Sequence, residues 1–138
     1  MTELPVSAVN QRLYDYLEEL PPGRDPYWGA SSHPDVVEFV WDRLGAVLPA
    51  EARRLFKQRP VLCHPTSGRV LAIPWGTAYA IWLAPGCWEE AADYSTAQTW
   101  SSGRITDLAE ALGDPGWRFG RLRLEQERDW LAKSFAEL

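Results

Sequence analysis

Apolar positions at spacings of three and four open the chain: Val6, Val9, Leu13, Tyr16, Leu17 and Leu20 form one stripe, with Arg12, Asp15, Glu18 and Glu19 opposite. That period predicts an amphipathic helix, and the Pro21-Pro22-Gly23 run that follows stops it. Residues 23–32 have no period and are expected to form a loop pinned by Tyr27 and Trp28. A second helix is predicted with Ser32 as N-cap, Asp35 three residues on, and Val36, Val37, Val40, Trp41, Leu44, Val47 and Leu48 as its buried face. Pro49 is read as opening a shorter helix over Ala50 to Lys57 that buries Ala52, Leu55 and Phe56.

After Pro60 the period changes from about 3.6 to 2. The runs VLCH, RVLAIPW and TAYAIWLA are short, rich in β-branched and aromatic residues, and separated by turn residues, which predicts an antiparallel meander over 60–84. Strict alternation puts Leu71 and Ile73 on one face and Val70 and Ala72 on the other. In the third run it sets Tyr79, Ile81 and Leu83 against Ala80, Trp82 and Ala84. Neither face is polar, so both are expected to be covered, or one covered and the other occupied by a ligand or partner.

Further on, CWEEAADY is read as a helical turn or two and AQTW, 97–100, as a candidate strand. TDLAEALG is read as a short helix that Thr106 or Asp107 caps and Gly113 stops. The alternation in 117–123 marks another candidate strand with Gly120 as its bulge, and Glu125 to Leu138 is read as a final helix. The expected fold is therefore α+β: N-terminal helices, a central antiparallel sheet of three to five strands, and a C-terminal helix packed on it.

At 138 residues the chain suits a single domain over 1–138. The net charge of −5 and pI near 5.0 argue against nucleic acid, whose binding rests on neutralising phosphates. No basic leader or long apolar run is present, and the two cysteines suit reduced thiols, so a cytoplasmic protein with no membrane contact is expected. Lysine occurs only at Lys57 and Lys133 beside many arginines and eleven prolines, a usage that suits a GC-rich bacterial genome.

Candidate chemistry is sparse. Cys63 adjoins His64, but neighbours on a strand point to opposite faces, so a Cys63 nucleophile would need His33 as its base. The ordinary reading is a small buried strand residue. His33, Cys63, His64 and Cys87 lack the paired spacing of structural zinc ligands, and no phosphate-binding glycine motif occurs; no cofactor or metal is expected. The arginines of 53–59 and of 118–123 suit the rims of a protein interface or partners for nearby carboxylates.

Eight tryptophans are the unusual entry. Trp41 and Trp130 fall on helical apolar stripes. Trp28, Trp75, Trp88, Trp100 and Trp117 fall in or beside turns, where an indole can plug the core, anchor a partner or stack on a ligand.

In size, acidity and α+β make-up, and with no shared motif, the chain is similar to small bacterial immunity and accessory proteins that bind a partner. The expected function is thus a non-enzymatic protein-binding module, whose partner is another protein or a second copy. Trp28, Trp75, Trp88, His33 and His64 are its candidate binding residues. The competing expectation is a small-molecule binder or enzyme, with a pocket lined by Trp28, Trp75, Trp82 and Trp88 and by His33 or His64 as its polar group.

Overall fold

A computed structural model describes residues 8–20, 27, 32–99 and 105–138. Their centre is a five-stranded antiparallel sheet in the order β1-β2-β3-β4-β7. The strands are β1 (Arg53–Phe56), β2 (Arg59–Cys63), β3 (Val70–Trp75), β4 (Ala78–Trp82) and β7 (Trp117–Phe119). A separate two-stranded sheet pairs β5 (Ala97–Thr99) with β6 (Ile105–Asp107). Four helices accompany them: α1 (Ala8–Glu19), α2 (Pro34–Glu38), α3 (Leu108–Leu112) and α4 (Leu124–Ala136). The α+β architecture with a C-terminal helix on the sheet is the one that the apolar periods predict.

Both faces of the sheet are covered. On one, Leu13 and Leu17 of α1 and Leu108 of α3 meet Val61, Cys63, Ile73, Trp75, Ala80 and Phe119. On the other, Phe39, Val40 and Leu44 and the α4 pair Trp130 and Leu131 meet Leu62, Leu71, Tyr79, Ile81 and Leu83. The apolar character of both sides of the hairpin therefore reflects a sheet sandwiched between helical layers. Val9, expected on the α1 stripe, is instead 49% exposed.

Three local expectations are corrected. Leu71 and Ile73 lie on opposite faces, because the β2–β3 ladder pairs Leu62 with Ala72 but Cys63 with Val70. The extra residue, Leu71, is a bulge that reverses the alternation. The second helix is not continuous and its N-cap is His33, not Ser32: α2 runs into a π turn, Phe39–Arg43, and a 3-10 turn, Leu44–Val47. The wider turn rotates the buried face onto Phe39, Val40 and Leu44 and leaves Val47 43% exposed.

The third correction is the helix expected over 50–57. Only Ala50–Ala52 is helical, as a 3-10 turn, and Arg53–Phe56 is the edge strand β1. It turns into β2 through Lys57 and Gln58, both left-handed at φ 48° and 67°. Such a turn usually carries Asn and Gly, so the sequence lacks the ordinary sign of a hairpin here. The short helix α3 follows expectation, with the Asp107 carboxylate capping the Glu110 amide and Gly113 closing the other end at φ 62°.

Candidate functional site

None of the six described tryptophans is exposed. Trp75 is only 4% exposed, contacts Tyr14 edge-on and lies under the Arg59 guanidinium, whose carbon is 3.4 Å from the ring centre. Trp88 is half-buried and donates to the Leu83 carbonyl at 2.8 Å. Trp41 donates to the Val61 carbonyl and Trp130 to Glu90, while Trp117 is buried. Trp28 and Trp100 lie outside the described residues.

The expected indole pocket is not assembled from the described members. Trp75 pairs with Ala78 at one end of β4 and Trp82 lies at its other end, about 13 Å along the strand at the usual rise per residue. Trp75 packs on the α1 side, whereas Trp88 joins the α4 side. Buried indoles need an acceptor for their N–H, and the neighbouring carbonyls and carboxylates supply it for Trp41, Trp82, Trp88 and Trp130.

Both histidines work on the backbone. His33 Nδ1 accepts from the Asp35 amide at 3.1 Å, capping α2, and its ring meets Tyr27. His64 Nδ1 accepts from the Thr66 and Ser67 amides at 3.2 and 3.1 Å, closing the turn into β3, and its ring packs on Phe135. Cys63 and Cys87 are free and buried in clusters on opposite faces of the sheet. Burial pushes the Cys63 thiol up to about 11, so it carries its proton at neutral pH. Among the described residues no three His, Cys, Asp or Glu side chains converge as metal ligands.

Two polar constellations, one fully buried and one partly exposed, organise the molecule. The first is centred on Glu127 of α4, which is 0% exposed. Its carboxylate accepts from the Tyr79 hydroxyl at 2.6 Å, the Tyr94 hydroxyl at 2.9 Å and the Arg121 amide at 2.9 Å. The Tyr79 oxygen in turn accepts from the Leu122 amide at 2.8 Å, so one buried relay fixes two consecutive backbone amides of the loop between β7 and α4. Burial, followed by the carboxylate, drives the ionisation of both tyrosines far above its ordinary range. Gly120 completes the arrangement, because a Cβ there would fall within the Tyr79 ring.

The loop held in this way presents Leu122, which is 66% exposed and has φ 60°. A leucine in the left-handed region costs about 1 kcal/mol or more, and burial of its side chain does not offset that cost here. Beside it lies a groove of about 320 Å³ lined by Asp35, Val36, Glu38, Phe39, Arg43 and Leu122. Arg121 and Arg123 flank the leucine and pair with Asp93, the closer contact being Arg123 at 2.8 Å.

The second constellation lies at the far end of β4. Asp114 accepts from Trp82 Nε1 at 3.0 Å and from the Gly116 amide at 3.1 Å, and forms an ion pair with Arg69. The Arg69 guanidinium covers the Trp82 ring at 3.9 Å. It leaves Trp82 half-buried and pins the turn after α3 against the β2–β3 loop.

Sequence reasoning missed Glu127 and Leu122. Glu127, Trp130, Leu131 and Ser134 share one buried stripe at spacings of three and four, so a glutamate at an apolar position of the last helix was a legible signal. Leu122 had none, since Arg118 to Arg123 alternates as a strand would while the strand ends at Phe119. No protein-family model, no curated protein and no solved structure matches this chain.

Proposed function

We propose that this chain is a non-enzymatic protein-binding module whose contact surface is the groove beside Leu122. The observation that carries the reading is the exposure of a large apolar side chain in a strained backbone conformation that a buried carboxylate and tyrosine hold in place. Strain of this kind persists where surrounding structure over-determines it, and it clusters at functional sites such as active sites, ligand clamps and switch regions. The rim carries charges of both signs, Asp35 and Glu38 against Arg43, with Arg121 and Arg123 flanking the leucine. A partner segment with an apolar side chain, a basic group facing the carboxylates and an acidic group facing the arginines complements that surface.

The histidines and thiols support the same reading through what they already do, since the former cap backbone turns and the latter are buried and protonated. A photo-cross-linking benzoylphenylalanine at position 122, compared with one at exposed Glu51, tests the proposal in cells. One discrete protein adduct at 122 and none at 51 is the expected result. Absence of an adduct at 122, or equal adducts at both positions, contradicts it.

A further inference from the structure

The two edges of the main sheet are finished differently. At β7, the Phe119 amide bonds outward to the Ser95 carbonyl at 3.0 Å, so the segment leading into β5 closes that edge. At β1, no described strand pairs with the outer side. The register shows which groups face out. Phe56 and Arg59 flank the two-residue turn at Lys57 and Gln58, and the flanking pair of such a turn exchanges both hydrogen bonds. In an antiparallel ladder the next pair, Leu55 with Pro60, is then the non-bonded one. Pro60 has no N–H to give, which agrees with that assignment. The Leu55 amide and carbonyl therefore point away from β2, as does the Arg53 carbonyl two residues earlier.

The edge is basic in an acidic protein. Arg53 and Arg54 sit on the strand and exposed Lys57 on its turn, against a net charge of −5 for the chain. Both arginines lean inward. Arg53 Nε donates to the Trp41 carbonyl at 2.8 Å, and Arg54 Nε is buried with no hydrogen-bond acceptor. Charged residues on an edge strand commonly serve to prevent pairing. Here no described residue bonds the outward backbone groups of Leu55, and the basic side chains set a charge preference. A second copy adding its own β1 would bring like-charged basic side chains together, whereas an acidic strand would meet opposite charge.

We infer that β1 takes up an extended acidic segment of another protein as an added strand, with Leu55 supplying the main-chain donor and acceptor and Arg53, Arg54 and Lys57 the charge selection. β1 shares no residue with the Leu122 groove, so binding at one surface does not require the other.

Amide chemical shifts of the full chain, titrated with a short capped peptide alternating Glu and Val and with its Lys and Val counterpart, test it. Saturable shifts at Arg53 to Phe56 with the Glu peptide, and at least about tenfold weaker binding of the Lys peptide, are expected. Leu55→Pro removes the outward amide together with the half-buried leucine side chain, and should weaken Glu-peptide binding about tenfold while the resonances of β3 and β4 stay in place. If that variant does not fold, Arg53→Glu with Arg54→Glu decides, since it should reverse the preference between the peptides. Shifts confined to other residues, equal response to both peptides, an unchanged preference in the charge-reversed variant, or concentration-dependent shifts at 53–56 without peptide would each overturn it.

Discussion

The Glu127 and Asp114 constellations use the same device, one carboxylate gathering several donors, at different depths. Glu127 is sealed from solvent and holds the loop that exposes Leu122, whereas the Asp114 side chain is 24% exposed and joins two turns. In water-free surroundings each unpaired donor carries its full desolvation cost, while at the surface water replaces a lost partner. Depth, more than the number of bonds, should therefore rank the two.

Removing each carboxylate in turn measures the effect of depth. Glu127→Ala strands two tyrosine hydroxyls and the Arg121 amide and should lower unfolding free energy by about 4 kcal/mol, whereas Asp114→Ala should cost about 2 kcal/mol. Urea denaturation of both variants measures the ranking, and equal losses would show that depth is not the controlling variable. Gly120→Ala falls between them at about 3 kcal/mol, because the added methyl must displace the Tyr79 ring that bonds Glu127.

Much of the fold was legible because its signals are local periods. α1, the β2–β4 strands, α3 with its caps and α4 all follow from spacing, and each has an apolar side long enough to read. β1 carries no strand signal, because Arg53 to Phe56 has no alternation and its turn uses Lys57 and Gln58 where Asn and Gly are usual. The bulge at Leu71 was hidden because both faces of β3 are apolar, so a slipped alternation looks the same as a regular one. A turn indole beside a small residue is as well suited to plug a core as to hold a partner. Trp75 does the former beneath Arg59. Leu122 owes its exposure to Tyr79, 43 residues away, and no short window of sequence contains that relationship.

An alkaline titration separates burial on the two sheet faces by a smaller effect. The unfolded Cys63 thiol ionises from its ordinary 9.0, while the folded thiol keeps its proton to about 11. Between those values the unfolded state binds fewer protons, so stability is fully present below pH 9.0 and declines as pH rises toward about 11. Tyr79 and Tyr94 extend the decline above 10.0, since burial beside Glu127 keeps both protonated in the folded chain. Melting temperature should fall across this range, and more shallowly in Cys63→Ala; an equal slope in that variant would mean that the thiol ionises without unfolding.

On the reading proposed above, Leu122 is held in a costly conformation for the sake of a partner. Leu122→Asn tests it in one variant, because asparagine tolerates the left-handed region and keeps the amide that bonds Tyr79. The variant should gain about 0.5–1 kcal/mol in unfolding free energy and should no longer co-purify the partner identified by cross-linking from position 122, which the wild-type chain retains. A destabilised variant, or a stabilised one that still captures that partner, would contradict it.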